Sequence, residues 1–248
     1  MQFKIFLFCV VLMSASTLTA LWFKKAMEPA PIVGAANAIA PTPPSSPLSA
    51  PEASPKPTFS TSKSFNQQQL LQTRKCIGCD LSGLDFKGVD LGKVNLREAN
   101  LSYANLEGAN LVNANLNEAN LQGANLSEID AQGADLRGAD LRMANLFRSQ
   151  LLNINLTKAN LQQSNLMQVE LRDSNLSSAN LERTNLETAS LYGAILIEAR
   201  LVQTNLNGAD LRYGNLERAT VEATNLNAAQ LDWAILPNGN SYQGTTPY

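Results

Sequence analysis

Residues 99–111 read Ala99-Asn100-Leu101-Ser102-Tyr103-Ala104-Asn105-Leu106-Glu107-Gly108-Ala109-Asn110-Leu111, and the five-residue step in this stretch decides the fold. Leucine recurs at every fifth position, a small residue lies two places before it, and Asn stands between them. Followed outward, the register runs from Leu81 to Leu236 with no insertion or deletion. Of its 32 central positions only Phe86, Ala131 and Val221 are not Leu, and all three are apolar. Asn or Asp fills 24 of the 32 positions just before them.

A period of five suits neither common element. On an α-helix five residues turn about 500°, so the leucines would wind around the cylinder and form no face. On a flat strand an odd period sends alternate leucines to opposite faces. The inward spacing instead alternates two and three. Two residues apart means one face of a short extended segment, and the three-residue step carries a corner that restores the inward direction. A coil with flat sides and regular corners buries every leucine. Asn and Asp suit the corners, because they accept unusual backbone angles and bond to nearby backbone. The small position takes Ala and tolerates Ser164, Thr184 or Gly214. Ala131 follows the larger Ile129, which reads as volume compensation, and Ile154 and Val169 call for similar local adjustment.

The repeats Ala99–Tyr103, Ala104–Gly108 and Ala139-Asp140-Leu141-Arg142-Met143 resemble the pentapeptide-repeat family, whose motif is A-(D/N)-L-x-x. The resemblance covers about residues 76–239. It implies an all-β chain, a right-handed quadrilateral β-helix with four pentapeptides per coil. Thirty-two repeats then make about eight coils, a rod roughly 38 Å long at the spacing of neighbouring strands.

Both ends of such a stack need caps. Phe65 to Lys75, with Leu70 and Leu71 amid glutamines, predicts a short capping helix. The lead-in Leu70 to Leu81 resembles that of cyanobacterial-type pentapeptide-repeat proteins. Cys76 and Cys79 form a C-x-x-C that reads as a structural bridge or compact packing, a redox switch, or half a metal site. A metal site would need further ligands, and the chain offers only Cys9 and no His. Trp233 and Leu236-Pro237-Asn238-Gly239 read as the closing cap and stop.

Residues Ile5 to Phe23 carry no charge and are flanked by Lys4 and by Lys24-Lys25. The run is long enough for a membrane span, and its small-residue end fits a signal peptide. From Pro29 to Pro57 nine prolines alternate with Ser, Thr and Ala, the composition of an extended linker without a core. The expected organisation is a signal or transmembrane anchor at 1–28 and a disordered Pro/Ser-rich linker at 29–64. The N-terminal cap at 65–79, the repeat domain at 80–239 and a tail at 240–248 follow. Localisation is expected in an extracytoplasmic compartment, periplasm or thylakoid lumen, or at a membrane through residues 5–23.

The absence of histidine excludes Ser–His–Asp and Cys–His catalysis and every His-containing metal site. No catalytic residue, cofactor or metal is expected, and the repeat aspartates are explained by their corner positions. A net charge of −2 supplies no global field for nucleic acid or for an anionic membrane. With four repeats per coil, residues twenty apart share a column. Leu152, Arg172, Tyr192 and Arg212 then form one ladder, and Phe147 and Met167 a neighbouring one. With Ile195 and Ile197 outward by register, they make a candidate interaction face, Tyr192 lying between two guanidinium groups. The function expected is a non-catalytic structural or protein-interaction scaffold, monomer or homodimer, with a protein partner and membrane contact through an uncleaved N-terminus. The alternative implied by the family is a DNA-mimicking, gyrase-binding protein. That role needs a strongly acidic surface, and residues 80–236 hold 19 acidic against 12 basic residues.

Overall fold

The computed structural model describes residues 59–244. The signal or anchor segment at 1–28, and the proline-rich stretch up to residue 58, lie outside the described residues. Helix α1 spans Phe59–Thr73. It therefore begins six residues before the expected start and takes in Phe59 to Ser64, which the sequence assigned to the linker. The last proline of the proline-rich stretch is Pro57, and beyond it nothing in Ser-Thr-Ser-Lys-Ser interrupts a helix. The helix ends when Arg74 takes a positive φ of 57°, its amide still donating to the Leu70 carbonyl at 2.9 Å.

After α1 the chain winds as a parallel β-helix. Bridges join residues twenty apart, from Lys75↔Asn95 to Asn215↔Ile235, so each coil contains four five-residue sides. One repeat accounts for the geometry. The Ala99 amide closes a turn on the Leu96 carbonyl at 3.0 Å. Asn100 donates to the previous coil at Cys79 (2.8 Å), and Leu101 and Tyr103 donate to the next coil at Asn120 (2.7 Å) and Gln122 (2.9 Å). The remaining amide, Ser102, donates to Oδ1 of Asn100 at 3.2 Å. Thus all five N–H groups of this repeat are satisfied, that of Ser102 only because Asn stands between the small residue and the Leu.

The same bond recurs across the coils. Every Asn or Asp at this position accepts from the amide two residues on, from Asp80–Ser82 through Asn145–Phe147 to Asn225–Asn227. The asparagines also bond each other along the rod, as from Asn165 to Asn145 at 3.0 Å and from Asn145 to Asn125 at 3.3 Å. The corner's last residue takes positive φ, as at Tyr103 (57°), Glu118 (57°) and Gly108 (63°). That value belongs to the third position of a type II turn, where glycine is the unstrained choice. Most repeats spend a larger residue there.

The interior is one column of leucines with alanines in the tighter positions, nearly all fully buried. Hydroxyl residues at the small position stay satisfied: Ser149 Oγ donates to the Leu126 carbonyl at 2.6 Å, Thr184 to Leu161 and Thr204 to Leu181, both at 2.7 Å. Ile129 and Ala131 are both buried, so the large and small pair occupy the core together.

At the first coil Leu70 of α1 is fully buried, and Arg74 clamps Asp90 through its carbonyl (2.6 Å) and carboxylate (3.0 Å). Cys76 and Cys79 are joined by a disulfide with Cα atoms 5.4 Å apart. The Cys76 sulfur sits 3.6 Å from the Asn66 carbonyl of α1, a contact with no thiol proton to share. At the far end, part of what the sequence assigned to a free tail folds back. Ser241 pairs antiparallel with Ile235, the Tyr242 amide reaches the Ala234 carbonyl at 2.7 Å, and the Tyr242 side chain packs on the core. A turn at Leu236–Gly239, closed by the Gly239 amide on the Leu236 carbonyl at 2.9 Å, reverses the chain onto the last coil.

Candidate interaction face

The twenty-residue coil decides which outward residues meet. Leu152, Arg172, Tyr192 and Arg212 do share a column, successive members separated by one coil. Phe147 and Met167 belong to the preceding side, and Ile195 and Ile197 to the following one. The eight expected residues therefore spread over three of the four sides and do not make a single face. A five-residue step is a quarter turn, so each repeat of offset rotates a side chain around a corner. Phe147, Met167, Leu152 and Ile197 are half-buried, and the Arg148 guanidinium lies 4.8 Å over the Phe147 ring.

The expected sandwich of Tyr192 between two guanidinium groups is half formed. Arg212 lies over the ring at 5.7 Å. Arg172 turns aside, its Nε donating to Glu170 Oε1 at 2.8 Å. Glu170 is the corner residue of the same repeat, so the nearest carboxylate outcompetes a ring one coil away. Arg212 is also anchored at its own corner, with Nε and Nη2 on the Asp210 carboxylate at 2.9 and 2.8 Å. Those hydrogen bonds hold the Asp210 pKa below the usual carboxylate range and raise that of Arg212. A shallow groove of about 460 Å³ runs between Glu170, Arg172, Ser190, Tyr192, Asp210 and Arg212.

Two further aromatic side chains stand here, Tyr213, which the sequence did not single out, and Trp233, which it assigned to the closing cap. Tyr213, from the adjoining column, places its ring centroid 5.1 Å from that of Tyr192 at a tilt of 54°. Trp233 follows Tyr213 one coil on, and both are more than half exposed, at 56% and 54%. The signal was present, since Gly193, Tyr213 and Trp233 occupy the same register position. It was read only for the column beginning at Leu152.

The groove side carries a second peculiarity. Gln150, Glu170 and Ser190 stand where three successive coils would otherwise have Asn or Asp. With that acceptor gone, the amides of Leu152, Arg172 and Tyr192 have no hydrogen-bond partner among the described residues, and the same holds at Ile197, Val202, Glu222 and Asp232, where Ile195, Arg200, Thr220 and Gln230 replace the corner residue.

The family model for pentapeptide repeats matches eight copies, spanning residues 79–117, 114–151, 149–187, 170–208, 188–222 and 204–240. The chain belongs to the pentapeptide repeat family. Members of this family fold as right-handed quadrilateral β-helices and are generally non-catalytic structural or interaction proteins. This pentapeptide repeat protein is similar to HetL of the cyanobacterium Nostoc sp. strain PCC 7120, involved in heterocyst differentiation regulation. The two are 29% identical over 68% of this chain and 91% of HetL, with a TM-score of 0.37. Rfr23 of the cyanobacterium Cyanothece 51142 is 33% identical over 49% of this chain and 89% of its own, with a TM-score of 0.29. QnrB1, a plasmid-mediated fluoroquinolone resistance protein, is 20% identical over 68% of this chain and 88% of its own, with a TM-score of 0.46. No curated protein matches the chain.

Among the described residues of this pentapeptide repeat protein, no group of His, Cys, Asp or Glu is placed to hold a metal ion, and no helix is long and apolar enough to cross a membrane.

Proposed function

We propose that the protein is a non-catalytic scaffold, exported or tethered through residues 5–23, which docks a protein partner on the side of the rod around Tyr192. The observation that carries this reading is the groove beside Tyr192, with the Tyr192–Tyr213 ring pair and the Arg212 guanidinium at its edge. Elsewhere the outward Asn and Asp side chains are consumed by their own corners and by each other along the rod. Around Tyr192 a groove opens, Glu170 and Ser190 stand at two of its corners in place of Asn or Asp, and Tyr192, Tyr213 and Trp233 are exposed. Exposed aromatic and arginine side chains are the residue types that dominate binding energy at protein interfaces. The uncharged run before a proline-rich stretch supports export or tethering.

The test is crosslinking in the native host with the charge-reversal variants Arg172→Glu and Arg212→Glu, folded stability being checked by thermal melting. Loss of a crosslinked protein partner in variants that melt normally is the expected result, and undiminished crosslinking would remove the assignment. Fractionation with the mass of the mature N-terminus tests the location. An N-terminus near Ala20 or Ala40 in a soluble fraction means release, and an intact Met1 in the membrane fraction means a tether. A cytosolic, uncleaved chain would overturn export.

The gyrase-binding alternative requires a run of unneutralised acidic charge. Here Arg137, Arg142 and Arg212 pair with Asp135, Asp140 and Asp210 at 2.6–2.8 Å, which interrupts such a run. A supercoiling assay separates the two readings, with no inhibition of gyrase expected.

A further inference from the structure

Helix α1 stands where a preceding coil would lie. Inside the stack the carbonyl of each corner residue accepts an amide from the coil before it, as Asn100 does from Leu81 at 2.7 Å. The first coil has no such neighbour, and side chains of α1 and of the residue after it supply the donors instead. Asn66 Nδ2 meets the Asp80 carbonyl at 3.1 Å, Gln67 Nε2 that of Asp85 at 3.4 Å, and Arg74 Nη1 that of Asp90 at 2.6 Å. The cap is thus seated on three of the four sides. The chain leaves it through the corner Cys76-Ile77-Gly78-Cys79.

That corner is closed differently from its successors. Leu84 and Ala99 donate their amides to the carbonyls three residues back, Leu81 and Leu96, at 3.3 and 3.0 Å. The Cys79 amide makes no such bond to Cys76, and the disulfide joins the same two residues in its place. Ile129 and Thr224 also lack the bond, but neither corner has a covalent substitute. Opening the bridge leaves 76–79 with neither closure. The two cysteines are unequally placed. Cys76 is 1% exposed, whereas Cys79 is only half-buried and Ile77 between them is 51% exposed. A reductant therefore meets Cys79 first. Cys76 has a partner for its reduced state already in place, since the Asn66 carbonyl 3.6 Å away can accept from a thiol.

We propose that Cys76–Cys79 is a thiol–disulfide exchange site, at which a protein dithiol sets how firmly α1 is held on the first coil. One thiolate of the dithiol attacks Cys79 Sγ and forms a mixed disulfide. The Cys76–Cys79 bond breaks, and its electron pair passes to Cys76 Sγ, which takes up a proton. The second thiol of the partner, deprotonated, then attacks its own sulfur of the mixed disulfide. That step closes the partner's disulfide and releases Cys79, which is protonated in turn. Two electrons and two protons have moved from the dithiol to this chain. The reduced corner loosens, yet Cys76 keeps its place beside Asn66, so the same steps in reverse close the pair again. This control acts at the capped end and does not depend on the docking strip around Tyr192.

The experiment uses the full chain carrying Cys9→Ser, so that only this pair responds, with thioredoxin as the dithiol probe. A thioredoxin whose second active-site cysteine is replaced by serine should be trapped as a mixed disulfide on Cys79 and not on Cys76, read by peptide mass spectrometry. Intact thioredoxin, kept reduced by NADPH and its reductase, should bring the folded chain to the dithiol form without denaturant. Amide exchange across α1 and residues 75–95 should then quicken by up to about thirtyfold, the ceiling that chain entropy sets for so short a loop. Reoxidation with oxidised glutathione should slow it again. Cys79→Ala places the usual residue of that position in the corner and removes the bridge. It should exchange fast at all times and show no response to thioredoxin. A bridge that opens only in urea, trapping on Cys76, or exchange unchanged by reduction would each overturn the assignment.

Discussion

At the residue scale, one side-chain oxygen decides what each position tolerates. The corner Asn closes the only amide that the coil itself leaves open, and it extends a chain of side-chain bonds up the rod. Asn145 accepts from Phe147 at 3.3 Å and from Asn165 at 3.0 Å while donating to Asn125 at 3.3 Å. Asn145→Ala should lower unfolding stability by about 1–3 kcal/mol, read as a reduced urea midpoint. The reverse substitution belongs where the acceptor is missing. Ile195→Asn places an acceptor beside the Ile197 amide, for a gain of about 0.5–1.5 kcal/mol read as a raised urea midpoint. The Asp–Arg corners add a pH dependence. Arg142 hydrogen-bonds Asp140 and holds its pKa below the ordinary carboxylate value. A depressed folded-state pKa gives stability that is present above the unfolded value, about 3.9, and is lost as the pH falls through the folded one. Arg142→Gln should raise the Asp140 titration midpoint in a carboxyl-resonance titration. Its stability deficit should be present near neutrality and shrink in acid.

At the element scale, α1 and the disulfide act on the first coil alone. Leu70 covers the leucine column where no earlier coil exists, and Asn66 and Arg74 bond to the Asp80 and Asp90 carbonyls at 3.1 and 2.6 Å. The Cys76–Cys79 bridge closes a loop of only a few residues, for which the chain-entropy estimate is about 2 kcal/mol. Because each coil touches only its neighbours, that stabilisation is local. Cys76→Ser with Cys79→Ser should therefore speed amide exchange across α1 and residues 75–95. Protection beyond residue 120 should be unaltered, and a global loss of protection would contradict a coil-by-coil stack. The position of α1 itself was only partly legible. The pattern of Leu70 and Leu71 located the packed turn, but Phe59 to Ser64 carry no periodic signal, and their helical state reflects continuity with a docked helix.

At the scale of the whole molecule, the leucine stack provides the cohesion and the interaction strip lies on its surface. Leu141, buried with coils on both sides, should cost about 2–5 kcal/mol when changed to Ala, seen as a lower melting temperature. Sequence alone determined the coil, its register, which residues point inward and where the rod ends. It could do so because a five-residue period with a fixed small–Asn–Leu order has a single way to bury every leucine. The grouping of outward residues needed the tertiary structure. Phe147 and Ile197 look adjacent to Tyr192 in the sequence ladder, yet corners carry them to other sides, while Tyr213 comes within ring contact. Arg172 showed the same limit, since its partner was settled by competition between the Glu170 carboxylate and a ring one coil away. Inward positions are dictated by periodicity, which is a property of the chain. Outward contacts depend on corner angles, side-chain reach and rival partners, which exist only once the coils are stacked.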